Sequence, residues 1–522
     1  MSSKKQPEGK QPRATQQKKP SGNTKTAAPT TAKSTTSRPK SSHPAAKKQR
    51  TDYNLSNSMI HSKDRTYSVI TGIFIFLTVC LLIWMVKLMV LDQEDIQATG
   101  YDPRLNEEQE NVLRGPIMDA SGDRLAYTQV LEDGTRQRVY PYGEAFAHVT
   151  GYIGRGQAGL ELAASDTLLK MPNLLNTLQS WAREETVQGV GIVTTLDGNL
   201  QRYIYEQLAG YRGAVVITEP STGKIKALVS SPSFDPATIV DDWETIANRE
   251  DSPLYARATQ GLYAPGSTFK ILTALTMYRT MSDYGEYSYT CDGAYEVGDL
   301  SIACAHGNQH GTVQLEEAFA YSCNGFFAGA GLKMGAAALQ GTAQYLRMGD
   351  SFDFILPQSE SAVSVDAEDS DGLIAQTAIG QGETAITPFM MNMLTCAIAG
   401  EGTLYKPYLI DSTVDGDGKQ EEKFLPQLWG SLMSPKEATF LENLMGGVTS
   451  YGTASELASD SYSIYGKTGT AQVDDGEDHS WFTGYTKVGG QTDIAITVVI
   501  ENGGSDKKAV PLVQQILQQY YQ

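Results

Sequence analysis

Between Tyr67 and Leu91 the chain reads YSVITGIFIFLTVCLLIWMVKLMVL, apolar for about 20 residues before Lys87, and a helix of that length crosses a hydrocarbon core of roughly 30 Å. The segment reads as a single membrane-spanning helix. A cleaved signal peptide fits poorly, because a long polar region precedes the run and no small-x-small site follows it directly. The charge divides at the same point. Residues 1–66 carry 15 Lys and Arg against 3 Asp and Glu, whereas the rest of the 522-residue chain carries 27 against 57. With basic residues before the span and Asp92, Glu94 and Asp95 after it, the amino terminus is expected in the cytoplasm and everything beyond residue 92 outside.

Four segments follow. Residues 1–66, rich in Lys, Ser, Thr, Pro and Gln, have too little apolar surface to offset the entropy of ordering, so a disordered cytoplasmic tail is expected. Its basic charge could meet nucleic acid or anionic lipid, but the plainer reading is a solvated tail that orients the span at residues 67–91, with no nucleic-acid partner. Residues 92–195 read as a small mixed α/β platform, and Arg114–Ala126 reads as strand, Ser-Gly turn and strand. Residues 196–522 are long enough for a large core. There, Gly213–Ile217 and Lys224–Val229 form a hairpin around Glu219-Pro220-Ser221-Thr222-Gly223, Trp481–Tyr485 and Asp493–Ile500 are strands, and Asp197–Leu208 and Pro511–Tyr520 are helices. Strands at both ends with helices between predict an α+β domain, one antiparallel sheet with helices on its faces. Ser434, Pro435 and Glu437 sign a further helix start.

The chemistry begins at Ala264-Pro265-Gly266-Ser267-Thr268-Phe269-Lys270. Pro265 and Gly266 break what precedes, and an apolar helical pattern follows. Residues i and i+3 share a helix face with Cβ atoms roughly 5–6 Å apart, which brings the Lys270 amine within reach of Ser267. A lysine serves as base only once neutral, and lowering its pKa from about 10.4 to about 7 costs on the order of 4 kcal/mol, supplied by burial or a cationic neighbour. Alone, Ser-x-x-Lys is a common accident. Tyr321-Ser322-Cys323-Asn324-Gly325 and Tyr465-Gly466-Lys467-Thr468-Gly469-Thr470 follow in order. Ser-x-x-Lys, Ser-x-Asn and Lys-Thr-Gly together are the signature of penicillin-binding proteins and active-site serine β-lactamases.

Each part has a use in acyl transfer. Ser267 is the candidate nucleophile and Lys270 its base; Ser322, between two lysines, can pass a proton to a leaving amine, and Asn324 can orient a substrate backbone. Lys467 adds a cation, Thr468 and Thr470 can bind a terminal carboxylate, and Gly469 leaves room for a substrate chain along the strand edge. The backbone N–H groups of Ser267 and Thr470 are the natural oxyanion donors. No metal and no cofactor is required.

From about Arg114 onward the chain resembles the class B penicillin-binding proteins, monofunctional D,D-transpeptidases with one membrane span. Besides the three motifs the likeness covers RGPIMDASGDRLA, Gly159-Leu160-Glu161, TEPSTGKIKALVSSPSFDP and GQGETAITP. It implies a penicillin-binding/serine β-lactamase-like fold, five central strands flanked by helices, above a non-catalytic dimerisation-like platform of the compact A-type. It also implies cross-linking of stem peptides ending in D-Ala-D-Ala through an acyl-enzyme, inhibition by β-lactams, and a multi-span SEDS-type glycosyltransferase as partner, since residues 92–195 are too few for a glycosyltransferase domain. A β-lactamase would carry an additional water-activating group. A catalytically idle cell-wall scaffold would not need the polar set.

Among the cysteines, Cys80 lies in the span, Cys396 in an apolar helix, and Cys323 is expected to point into the core. Cys291 and Cys304 can close a disulfide worth about 3 kcal/mol, stay free thiols, or bind metal with His306 and His310 in a Cys-x12-Cys-x-His-x3-His spacing. Preference falls in that order, since Gly307 and Gly311 mark a turn-rich loop.

Overall fold

The computed structural model describes residues 68–84, 112–171, 187–473, 476–504 and 508–522. The expected tail, residues 67 and 85–91 of the expected span, and residues 92–111 and 172–186 of the expected platform lie outside these. Residues 68–84 are helical with exposed apolar side chains. Among the described residues no helix is long and apolar enough to cross a membrane.

The carboxyl-terminal two thirds is built on a five-stranded sheet. Its strands are β1 (Gly213–Glu219), β2 (Lys224–Ser231), β3 (Ser463–Ala471), β4 (His479–Val488) and β5 (Gln491–Ile500), in the spatial order β3-β4-β5-β1-β2. Every pairing is antiparallel. The expected strands are present, each extended by a few residues. Both faces are covered, which is why β1 and β5 are almost continuously buried rather than alternating. Five helices matter for the site: α1 (Lys270–Thr280), α2 (Asn324–Met334), α3 (Pro388–Ala399), α4 (Pro435–Ser450) and α5 (Ala509–Tyr520). α3 lies against β1, β4 and β5, whereas α5 and the helix Gly198–Gln207 pack together at the sheet. The cap read from sequence is in place: Ser434 and Glu437 complete both halves of a capping box. Asp197 caps a second helix, accepting from the N–H groups of Asn199 and Leu200.

α3 is buried on all sides, so its polar residues must find partners within the core. Asn392 accepts from Thr218 Oγ1 at 2.6 Å and donates to the Val216 carbonyl at 3.2 Å. The hydroxyls of Thr395 and Thr483 meet at 2.6 Å and those of Thr483 and Thr497 at 2.7 Å. These bonds fix the register of α3 on three strands.

The platform carries a six-stranded sheet that sequence order does not suggest. Its strands run Gln420–Lys423, Ile410–Val414, Gly191–Thr194, Ile117–Met118, Arg124–Val130 and Arg136–Val139. The first two come from far along the chain, and Ile410–Val414 pairs antiparallel with Gly191–Thr194. Local patterning could propose strands at 410–423 but could not say with which sheet they pair.

The Arg-Gly-Pro and Gly-Leu-Glu stretches meet inside the platform. Glu161, fully buried, accepts from Arg114 Nε at 2.5 Å, from Arg138 Nε at 2.7 Å and from the Tyr140 hydroxyl at 3.3 Å. Burial raises the Glu161 pKa, but Arg138 and Arg114 outweigh it and hold the carboxylate below its ordinary range. Glu161→Ala leaves two buried guanidiniums without their anion and should destabilise the protein by about 3–5 kcal/mol. Urea unfolding checks this, and a loss below about 1 kcal/mol would contradict it.

Candidate active site

The nucleophile turn departs from the expected helix start. Residues Gly266–Phe269 form a 3-10 turn and the α-helix begins at Lys270. In a 3-10 turn residues i and i+3 eclipse, so Ser267 and Lys270 remain on one side. Gly266 has φ +52°, and a Cβ there would stand 2.3 Å from the Thr470 carbonyl oxygen. The turn therefore abuts β3 directly, bringing Ser267 beside Thr470. A second glycine braces it from behind: Gly266 N–H donates to the Gly380 carbonyl at 2.9 Å, and Gly380 has φ +77° with its missing Cβ 2.1 Å from the Gly266 oxygen. Gly380 opens the GQGETAITP stretch, whose glycines and Thr387-Pro388 helix start signal a turn but not its neighbour.

Lys270 is fully buried. Its Nζ lies 2.9 Å from the Ser322 carbonyl, 2.6 Å from Asn324 Oδ1 and 3.2 Å from Ser322 Oγ. Among the described residues no hydrogen bond joins it to Ser267. Burial pushes its pKa down to about 8, so burial, rather than the cationic neighbour considered from sequence, is the leading cause. A neutral amine has two hydrogens and one lone pair. The two obligate acceptors, the carbonyl and the amide oxygen, take the hydrogens, which leaves the lone pair for a hydroxyl.

Ser322 is held in the left-handed region at φ 60°, an uncommon conformation for a residue with a side chain. Its hydroxyl receives a second contact from Lys467 Nζ at 3.0 Å, while Lys467 also donates to the Thr468 carbonyl at 3.0 Å. Lys467 is as buried as Lys270. One hydroxyl thus joins two desolvated amines. Asn324 opens α2, and its Nδ2 donates to the Ala303 carbonyl at 2.7 Å.

β3 is an edge strand of the central sheet. Thr468 and Thr470, two apart, share one face of it, and Thr468 Oγ1 meets Thr453 Oγ1 at 2.6 Å. A Cβ on Gly469 would lie 3.0 Å from Pro265 O, Thr268 Cγ2 and Trp481 Cβ. The missing side chain lets the nucleophile turn and β4 pack close on this face of the strand. Tyr321 and Tyr451, their rings 6.0 Å apart and both exposed, flank this corner; sequence reasoning did not single them out.

The cysteine region also differs from expectation. The sulfurs of Cys291 and Cys304 stand 3.6 Å apart without a bond. His306 is exposed with φ 57° and does not join them. Cys323 takes its place: it is buried as expected, with its sulfur 4.0 Å from that of Cys304.

The match to known proteins extends over both folded regions. Residues 213–518 fit the penicillin-binding protein transpeptidase domain, and residues 114–189 fit the penicillin-binding protein A dimerisation domain. The chain belongs to the penicillin-binding protein transpeptidase family. It is 30% identical over 453 residues to the peptidoglycan D,D-transpeptidase PbpA of Mycolicibacterium smegmatis, covering 80% of this chain and 89% of that one. The imipenem acyl-enzyme complex of penicillin-binding protein A from M. tuberculosis superposes with a TM-score of 0.72 at 28% identity, over 79% of this chain and 99% of that one. The D,D-transpeptidase domain of a peptidoglycan glycosyltransferase from Eggerthella lenta gives 0.68 at 30% identity, over 78% and 99%.

In this penicillin-binding protein family member the contact between turn and strand is testable. Gly266→Ala should lower the unfolding free energy by about 1–3 kcal/mol through its φ, and by more through the clash with Thr470. Gly418, at φ +81° with nothing within 4 Å of its missing Cβ, is the control. Equal losses for Gly266→Ala and Gly418→Ala in urea unfolding would contradict the close approach.

Proposed function

We propose that the chain is a serine D,D-transpeptidase that cross-links peptidoglycan. The observation that carries this reading is the Ser322 hydroxyl bonded by two buried lysines, 3.2 Å from Lys270 and 3.0 Å from Lys467, next to the Ser267 turn. Ser267 Oγ attacks the carbonyl of the penultimate D-Ala of a stem peptide and gives its proton to neutral Lys270. The backbone N–H groups of Ser267 and Thr470 receive the oxyanion, where losing one donor typically costs about 10²–10³ in rate. Lys270 returns the proton through Ser322 to the departing amine of the terminal D-Ala, and the C–N bond breaks to leave an ester on Ser267. Asn324 orients the peptide backbone, and Lys467 with Thr468 and Thr470 binds its carboxylate. An amine on a neighbouring strand then attacks the ester, completing the cross-link and freeing Ser267. A β-lactam enters the same path, but its leaving nitrogen stays tethered in the opened ring, so the ester persists.

Two observations favour this over the rivals. Among the described residues no carboxylate hydrogen-bonds Lys270, Ser322 or Asn324, whereas a β-lactamase needs a group to activate water against the ester. An idle scaffold has no use for two fully buried lysines, each costing several kcal/mol to desolvate. The proposed domain order is that expected from sequence: tail 1–66, membrane anchor 67–91, platform 92–195, and transpeptidase domain 196–522 facing outward. A SEDS-type polymerase partner belongs to the same reading by family analogy.

The mass of the intact chain after brief exposure to penicillin G tests the nucleophile. The wild type should gain one drug mass, and Ser267→Ala should gain none while keeping its unfolding transition. An adduct surviving in Ser267→Ala would overturn the assignment. Lys467→Ala should still label but about 10²-fold or more slowly, and an unchanged rate would remove Lys467 from the chemistry.

A further inference from the structure

At the edge of the central sheet opposite the reaction centre, the platform and the transpeptidase domain enclose a cleft of about 420 Å³, within the range of about 300–1,000 Å³ usual for small-molecule sites. Glu144 lines it from the platform. Tyr205 and Tyr211 come from the end of the helix Gly198–Gln207 and the turn after it, Ser231 from the end of β2, and Arg249 and Asp251 from the loop beyond the helix Ile239–Ala247. Strand register places this cleft relative to Ser267. Thr470, Ser480, Ile500, Gly213 and Ser231 are successive partners across all five strands, and four intervals of about 4.8 Å put the ends of that row about 19 Å apart. The serine mechanism uses Thr470 at one end and nothing at the other.

The charged groups of the cleft are already matched to one another. Arg249 holds Asp251 by two bonds, Nε to Oδ1 at 3.0 Å and Nη2 to Oδ2 at 2.6 Å. Arg212, also in the lining, meets Glu501 at 2.7 Å, and the Tyr205 hydroxyl donates to Glu144 at 2.6 Å. An entering anion would have to displace a carboxylate from a guanidinium, and an entering cation would have to displace a guanidinium from a carboxylate. A neutral ligand displaces neither. What remains is hydrogen-bonding capacity and aromatic surface. Ser231 Oγ donates to the Tyr211 carbonyl at 2.9 Å. His148, kept neutral because burial pushes its pKa down to about 4, places its Nε2–H on the Pro253 carbonyl at 2.9 Å, so its Nδ1 accepts from Ser233 Oγ at 3.4 Å. Both serine oxygens therefore keep lone pairs for a ligand. The Tyr211 ring is 40% exposed, with Lys508 Nζ 5.5 Å from its centre. Hydroxyls that donate and accept, together with C–H faces that pack on a tyrosine ring, are the chemistry of a saccharide. We propose that this cleft binds a neutral saccharide, the glycan of the polymer whose stem peptides react at Ser267.

The walls are formed in advance. Gln201, buried in the helix Gly198–Gln207, donates from Nε2 to the Ala145 carbonyl at 3.0 Å and to the Leu228 carbonyl at 2.9 Å, and its Oε1 accepts from the Leu228 N–H at 2.8 Å. One side chain thus ties the platform turn that carries Glu144 to the helix and to β2, and binding has little ordering entropy to offset. Because the cleft and β3 lie at opposite edges of the sheet, a sugar held in the cleft leaves Ser267 open to a stem peptide or a β-lactam. The choice of glycan rests on the transpeptidase reading; the neutral, hydroxyl-binding lining stands independently of it.

Chitotetraose, a neutral β-linked oligomer of N-acetylglucosamine, is the probe, followed by saturation-transfer NMR on the full chain in a detergent without sugar head groups. Binding should saturate with a dissociation constant near or below about 1 mM, equally in the free chain and in the chain acylated by penicillin G. Tyr211→Ala removes an exposed ring and should weaken binding at least about tenfold, with the unfolding transition and the acylation rate unchanged. Tyr451→Ala, at the reaction corner, should bind as the wild type does. No saturation up to about 10 mM would overturn the site, as would loss of binding on acylation, or loss in Tyr451→Ala with none in Tyr211→Ala. Displacement of the sugar by an equal concentration of inorganic phosphate would overturn the neutral lining. A chain that binds chitotetraose through Tyr211 but never acylates would count against the transpeptidase reading alone, and one that acylates without binding would count against the cleft alone.

Discussion

Two lysine amines removed entirely from water, with one serine hydroxyl between them, impose the constraint that organises this site. A buried amine still needs partners for its hydrogens and its lone pair, and Lys270 finds them in a main-chain carbonyl, an amide oxygen and a hydroxyl. Those three oxygens come from Ser322 and Asn324. The Ser-x-Asn loop must therefore stand over α1 in one orientation, and the left-handed backbone of Ser322 is the conformation that turns both its carbonyl and its hydroxyl to the same amine.

The rest of the domain keeps these parts in place. Lys467 sits on the edge strand β3, whose register is set by nine pairings to β4. Gly266, Gly380 and Gly469 let three backbone segments approach more closely than any side chain would permit. The polar bonds of Asn392 and Thr395 lock the central helix to the sheet. A shift of one residue in any of these elements would separate Ser267 from Thr470 or Lys467 from Ser322.

Much of this was legible from residues alone. The three motifs, their order, the hairpin at Glu219–Gly223, the capping box at Ser434 and the terminal helix were each written in local chemistry, which short-range physics decides. What escaped depends on contacts distant in sequence. Nothing in Ile410–Val414 says that it pairs with Gly191–Thr194, and nothing in Gly380 says that it faces Gly266. The cysteine spacing suggested His306, but the backbone turns that side chain away and brings in Cys323, a residue whose motif assigned it only to the core. The close packing of Gly469 against Pro265, Thr268 and Trp481 likewise joins segments far apart in sequence.

In the proposed mechanism burial keeps Lys270 neutral enough to take the Ser267 proton. Its pKa near 8 means that the active, neutral form is scarce below that pH and dominant above it. The rate constant for acylation by penicillin G, measured from about pH 6 to about pH 10, should rise close to tenfold per unit at the acid end, bend near 8 and level off. A rate that is flat across this range, or that falls as Lys270 loses its proton, would contradict the account.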